Sequence, residues 1–547
     1  MNLHARLTRA AMLTVFFVVA SLFFSGAALA ARTPLRVTIN TGAGQVLRVS
    51  AGSRDLVRKS TRSGPSRFGC TQVLRTYRVG TAKAPVGTLS ITIRTLPSGS
   101  RVVFSELKSP KTSVPVVLTV SSEATAAAFH DMGLRPDLTY NATTGVDRTS
   151  GPIGWVDLHK GGQAVGSVLA SKSFQYTNLT KVYSKSKSST VRRFISESRS
   201  LGIAAEPGDR VAVSTSLSAR ASTSQNYLLL TSRAIVDTST ANYSLARVTS
   251  SEWRWMDPLG SYGKAPYSIE PVTKLGYVRD LVDARASATY SAYKATDAGI
   301  FEDLLVNNLY SLSLTRSSDG LWRTNYTSTW VKAESGITAP FIDTRNNEQL
   351  AMSFLQSTEA LSAHGVNSAN GARGWAGSFA SYLLGRARAG AVARTAHGAF
   401  FGDYYDSRGT LRTHTSLNHA LGEMNYLMTL YLETKDTAYL TGALRIKGAV
   451  DDTGTRWVRS NSDLWYQRNI NGKYTGGDYV WVTYWDLLNS QRLFKIILGS
   501  SDPVFNQLIT AKAHYLGVTP TISSAPSSSQ SAPAASSAAP TDRVELP

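Results

Sequence analysis

The chain has 547 residues, 42% of them hydrophobic, which is enough to bury more than one core. Its 58 Lys and Arg against 37 Asp and Glu leave a formal charge of +21, a balance that draws a protein to polyanions. Cys70 is the single cysteine, which excludes a disulfide scaffold and argues against cysteine chemistry and cysteine-based metal sites.

In chain order, Arg6 and Arg9 precede an apolar run over 10–24 and the small-residue pattern Ala28-Leu29-Ala30. That order predicts a secretory signal peptide over 1–30, cleaved before Ala31, and a secreted or extracytoplasmic, wall-associated protein. An uncleaved anchor is the alternative reading of the same run. No later segment is apolar enough for a second crossing, so no stable membrane span is expected after cleavage.

Residues 31–275 alternate short apolar segments with Gly, Ser, Thr and Pro, as at 37–39, 46–49, 89–96, 102–107, 114–120 and 227–236. This predicts antiparallel strands in a β-sandwich-like N-terminal domain, with a short helical interruption over 123–132. Lys181, Lys185, Lys187, Arg192 and Arg193 form the densest basic cluster, which reads as a solvated strand and turn. Over 276–517 the periodicity becomes helical, with segments near 295–314, 346–363, 374–389, 416–433, 437–450, 479–498 and 503–516. Tandem helical hairpins of this number predict a small or open all-α (α/α) toroid as C-terminal domain, inner helices lining a cleft. From 518 to 547 the composition is Ser, Ala and Pro, which cannot bury a core and reads as a disordered tail.

Within the helical part, Leu417, Leu421, Met424, Met428 and Tyr431 recur at helical spacing as an apolar stripe. His419, Glu423 and Tyr426 follow at four and three residues on another face, which an inner helix would turn toward the cleft. An ordinary surface pair of His419 and Glu423 explains the same spacing. Residues 463–486 form a glycine-punctuated loop dense in Tyr, Trp, Arg and carboxylate. That mixture suits sugars, because flat rings stack on the apolar faces of pyranoses while polar groups orient hydroxyls. Tyr466, Arg468, Asp478 and Tyr479 are the site candidates there, whereas Trp481 and Trp485 read as packing between helices. A third cluster spans 322–330 and 341–348. Asp343 or Thr344 would cap a helix on which Arg345 and Glu348 lie one turn apart, and the gathering of polar groups leaves a substrate subsite open.

Segments 416–440 and 463–494 resemble the C-terminal domain of D-glucuronyl C5-epimerases, enzymes that invert carbon 5 of glucuronate within a polysaccharide. Asn418, Tyr426, Leu430 and Tyr431 carry the first half of the resemblance, and Tyr466, Arg468, Asp478 and Tyr479 the second. In strict register Trp465 takes the family's tyrosine place, and Val480 stands where the family has histidine. A proton on carbon 5 is a very weak acid, so its removal needs a cation on the neighbouring carboxylate, a base on one face of the ring and a proton donor on the other. The resemblance implies Arg468 as the cation and Glu423, Tyr466 and Tyr479 as base and acid candidates, while His419, Tyr426, Asp478, Asp343, Arg345 and Glu348 are expected from their clusters to bind substrate.

Two other readings share these features. A uronate lyase uses the same proton abstraction, and a glycoside hydrolase needs two opposed carboxylates, for which Asp343, Glu348, Glu423 and Asp478 are available. A non-catalytic protein that binds wall polysaccharide needs only the basic charge, the β-rich half and the tail. The expected partner throughout is an acidic polysaccharide and not nucleic acid, for which no motif appears. With eight His and no HExxH pattern, neither a metal nor another cofactor is expected.

Overall fold

The computed structural model describes residues 35–38, 45–109, 111–133, 149–235, 239–265, 268–296, 298–363, 369–406, 409 and 413–519. The expected signal peptide lies outside them, as does the Ser/Ala/Pro tail beyond Thr519. Among the described residues no helix is long and apolar enough to cross a membrane.

The N-terminal region is rich in β-sheet and the C-terminal region is helical. One sheet has five antiparallel strands, the other 13. They face each other across a core of Leu47, Val49, Val116, Leu118 and Leu217 from the smaller sheet and Leu89, Ile91, Val103, Leu107, Leu228 and Leu230 from the larger. Successive side chains of a strand point to opposite faces. On the larger sheet the alternate residues Val102, Phe104, Tyr227 and Leu229 therefore leave this core and join a second one, shared with the helices. The strand Ser222–Thr231 is buried at every position for that reason, as in sheets covered on both sides.

The helices are α1 (Ser239–Ser251), α2 (Ser287–Thr296), α3 (Gly299–Thr315), α4 (Thr329–Ser335), α5 (Thr344–Gln356), α6 (Thr358–Ala363), α7 (Ala369–Arg388), α8 (Leu417–Thr434), α9 (Thr437–Thr453), α10 (Val482–Leu498) and α11 (Pro503–Leu516). They pack largely as hairpins. α5 lies against α7 and α8, α8 against α9 and α10, and α10 against α11. α5, α8 and α10 are thus an inner row, with α7, α9 and α11 behind it. α3, buried from Ile300 to Ser313, joins helices to sheet. There Arg94, fully enclosed, donates to Asn307 Oδ1 at 2.6 Å and Ser311 Oγ at 2.8 Å on α3, and to Gln72 Oε1 and Pro258 O at 2.8 and 2.7 Å on the sheet side.

Several elements differ from the sequence expectation. Residues 126–131, within the 123–132 stretch expected as a short helical interruption, form an outlying strand paired with Gly154–Lys160. α1, α2 and α4 were not anticipated; α1 is half Ser and Thr, which favour caps and turns, and packing of Ala241, Leu245 and Val248 against the shared core decides it. The large sheet also runs past residue 275. The strand Gly276–Arg279 pairs with both Gly260–Lys264 and Lys187–Ser198.

Candidate functional site

The inner helices begin at a common place. Asp343 caps α5, its carboxylate accepting from Asn346 N at 2.9 Å, Asn418 and His419 form the first turn of α8, and Val482 opens α10. All four line one cavity of about 260 Å³, closed on the other side by Lys264, Val278 and Asp280 from the end of the large sheet and by Arg285. Short ladders just ahead of the helices bring in the tyrosines. Asp343 pairs with Tyr404, and the hairpin holding Tyr466 pairs with Ser416 at the start of α8. Tyr479 lies in the non-helical stretch before α10. Three helix N-termini directed at one cavity bias it toward negative charge on the ligand.

The titrating groups fall into two kinds. Burial raises the Asp343 pKa to about 7; the Asn346 N–H opposes the shift and the nearby Asp403 carboxylate adds to it. Burial also pushes the hydroxyls of Tyr326, Tyr404 and Tyr466 far above their usual range and that of Tyr479 to about 12. At neutral pH the cavity therefore offers one carboxyl near its midpoint and four protonated phenols. The phenols are grouped: Tyr466 meets Tyr479 edge to face at 5.8 Å between centroids, and Tyr404 hydrogen-bonds Tyr466. Burial lowers the His419 pKa to about 4, so its ring is neutral, with Nδ1 2.9 Å from Thr344 Oγ1.

Behind this layer lies His414, which is fully buried. Its Nδ1 is 2.9 Å from Glu334 Oε1 and its Nε2 3.2 Å from Asp403 Oδ2. Burial alone would lower its pKa, but the two carboxylates outweigh that and hold it at about 9. Asp403 is fixed in turn, its Oδ1 accepting from Ser416 N at 2.8 Å.

The floor is built around Arg345. Its Nη2 donates to both oxygens of Asp486 at 3.0 and 2.9 Å, and its Nη1 donates to Asn418 O at 2.9 Å and lies 3.5 Å from Glu348 Oε2. Glu423 sits deeper, its pKa pushed well up by burial with Asp403 and Glu348 adding to the shift. One guanidinium is thus shared among three carboxyls, and burial raises the Glu348 pKa to about 7.

Of the residues singled out in the sequence, the structure brings Asp343, Arg345, His419, Tyr466 and Tyr479 together on the cavity wall. Glu348 and Glu423 lie beneath the floor and do not reach the cavity. Tyr426 leaves it altogether, accepting from Ala380 N at 3.2 Å in the α7–α8 packing, because α8 carries its polar stripe away from the site into the core. Arg468 lies beside the Tyr474 hydroxyl and Gly472 in its own hairpin and is absent from the wall. Asp478 is enclosed, 2.9 Å from Lys512 Nζ and accepting from Thr483 Oγ1 at 2.7 Å; it anchors the segment without facing the cavity. Trp481, expected to be packing, is 38% exposed.

Tyr326 and Trp330 fall in the 322–330 cluster that the sequence left open as a subsite, whereas Tyr404, Asp403, His414, Asp486 and the sheet-side Lys264, Asp280 and Arg285 were not singled out. The Phe-Phe-Gly-Asp-Tyr-Tyr-Asp run at 400–406 had the aromatic and acidic density that marked the neighbouring loop. The sheet-side residues carried no comparable signal.

No protein-family model matches the chain, and no curated protein does. Among solved structures it is similar to a D-mannose isomerase, at 14% identity and TM-score 0.38 over 50% of this chain and 70% of that one. It is also similar to a cellobiose 2-epimerase from Bacillus thermoamylovorans, at 13% identity and TM-score 0.35 over 50% and 69%. A family 76 α-mannanase from Bacteroides thetaiotaomicron gives 14% identity and TM-score 0.35 over 50% and 69%. Likenesses this distant carry no reaction over to the chain, and its chemistry has to be read from the cavity.

Proposed function

We propose that the protein is a carbohydrate-active enzyme that moves a proton at carbon 5 of a uronate residue in a polysaccharide, an epimerisation, on helical hairpins laid out as an open α/α toroid. The observation that carries this reading is Asp343, a carboxyl with a pKa of about 7 on a wall it shares with four phenols that stay protonated. A base near neutrality opposite fixed donors is what abstraction on one face and return on the other requires. In this assignment Asp343 takes the carbon 5 proton while the bonding pair moves into the substrate carboxylate. Lys264 and Arg285, with the helix N-termini, stabilise the resulting enediolate. Tyr466 or Tyr479 then delivers a proton to the other face, and exchange with solvent restores both groups.

Asp343 thus takes the base role for which the resemblance offered Glu423, Tyr466 and Tyr479, and Lys264 and Arg285 the cation role it gave to Arg468. Export and association with an anionic wall or matrix polymer belong to the same reading, resting on residues 1–30 and on the net charge of +21. One observation favours hydrolysis as a second reading: Asp280 and Asp343 both act on Tyr326, so two carboxylates flank one stretch of the wall.

The deciding experiment incubates the protein in heavy water with heparosan, hyaluronan, alginate and polygalacturonate. Deuterium at carbon 5 without chain shortening, lost in Asp343→Asn, supports epimerisation. Unsaturated ends would mean a lyase and new reducing ends a hydrolase; neither exchange nor cleavage on any polymer would sink the enzymatic reading.

A further inference from the structure

The cavity is small. Ligand pockets commonly span about 300–1,000 Å³, and one of about 260 Å³ takes a single sugar ring. If the substrate is a polymer, the ring next to the reacting one has to lie over the rim, where Trp330 stands.

Trp330 lines the cavity and is nevertheless 36% exposed. Five of the ten tryptophans, Trp155, Trp253, Trp255, Trp322 and Trp457, are buried, and Trp481, the other strongly exposed one, is not on the cavity wall. One face of the Trp330 ring is occupied, stacked on His414 with centroids 5.4 Å apart and planes at 26°, while Tyr404 meets it edge to face at 5.8 Å. No ring contact occupies the opposite face among the described residues.

The ring is also held in place. α4, which carries it, is capped by Ser328 Oγ and closed by Gly336 in the left-handed conformation. Val331 packs with Ile337, Phe341 and Tyr404 beneath it. Glu334, four residues on from Trp330, bonds the same imidazole on which the ring stacks, so one helix grips His414 twice. Because Glu334 and Asp403 keep His414 charged, the contact gains a cation–π component. A flat apolar surface fixed in advance loses little freedom when a ligand stacks on it.

We propose that the open face of Trp330 is a second sugar subsite, which takes the apolar C–H face of the pyranose adjoining the reacting residue and so selects oligosaccharides over single sugars. This rests on the carbohydrate reading of the cavity but not on the identity of the reacting sugar.

The test is calorimetric titration of the full-length protein with hexasaccharides from heparosan, hyaluronan, alginate and polygalacturonate, with the single uronic acids these contain, and with neutral mannan and cellulose oligosaccharides. For whichever hexasaccharide binds, Trp330→Ala weakens binding about tenfold, its single uronic acid loses less than threefold, and Trp330→Tyr restores most of the difference, the size expected of one aromatic stacking contact. Equal losses for long and short ligands, no loss, or rescue by Trp330→Leu as good as by Trp330→Tyr would overturn the subsite. Trp330-dependent binding of a neutral hexasaccharide alone would keep the subsite and overturn the uronate reading. No binding of any of these glycans by the unaltered protein would overturn both.

Discussion

Asp343 is a helix cap and a cavity carboxyl at once, and the two roles pull its pKa in opposite directions. The Asn346 N–H favours the anion, burial disfavours it more, and the outcome is about 7. If Asp343 is the base, kcat/KM rises with pH through about 7, and Asp343→Asn lowers the rate by roughly 10²–10⁴; exchange rates from pH 5 to 9 check both. Gly422 shows how little space lies below. A Cβ there would overlap the Arg345 guanidinium. Gly422→Ala should destabilise by about 1–3 kcal/mol, as overpacking does, and raise KM as Arg345 shifts; urea unfolding and kinetics read the two effects.

At the level of elements, what matters is where a helix starts. Sequence periodicity suggested 479 for the beginning of α10, but the helix begins at Val482, and the three residues left out of it include Tyr479. Asp478 accounts for part of this, since it spends its carboxylate on Thr483 and on Lys512 of α11. Lys512 also reaches Asp463 at 2.6 Å and is fully buried. Lys512→Met would leave the enclosed Asp478 without its cation and Asp463 with Arg459 alone. The expected cost is about 3–5 kcal/mol, seen as a lower denaturation midpoint, with Tyr479 loosened and activity falling in the fraction that remains folded.

α11 itself was fully legible. Pro503 at its start, Asp502 as cap and Gly517 in the left-handed conformation after its end bound it at 503–516, as the sequence pattern has it. α8 was legible as a helix but not as a site. Its residues are buried from Leu417 to Met428 on all sides, so a polar stripe at helical spacing marks depth as readily as an opening. Hence His419 reaches the cavity while Glu423 and Tyr426, on the same stripe, do not. Tyr466 and Tyr479 were readable because a short hairpin and a helix start concentrate aromatic and polar groups within a few residues. Lys264, Asp280 and Arg285 reach the wall from the sheet side, and local pattern carries no trace of such distant pairing.

Over the whole molecule, the raised groups share a sign. Asp343 and Glu348, at about 7, and Asp478, at about 6, have pKa values above those of the unfolded chain. Their contribution to stability is complete below about pH 4 and is lost as pH rises through 6 and 7. His414, raised to about 9, contributes fully below about 6.5 and loses its share as pH rises through 9. Against these, Glu270 is held down at about 2, first by the Tyr183 hydroxyl, so its contribution is complete above about 4.5 and is lost as pH falls through 2. Tm should therefore be highest near pH 5 and fall toward pH 9, with Asp343→Asn flattening the decline; a calorimetric pH series tests this, and a maximum at pH 8 or above would refute it.

The strand Ser222–Thr231 gives one core its even positions and the other its odd ones. A slip of one residue would exchange the two sets, so its register is held from both sides. The consequence is for descent. A recombination event that swaps the helical half for a relative's has to bring Tyr227 and Leu229 along with the helices while leaving Leu228 and Leu230 behind, and no crossover in a gene can separate alternate residues. Any exchange of the helices therefore meets a face that is already set by a strand belonging to the other core.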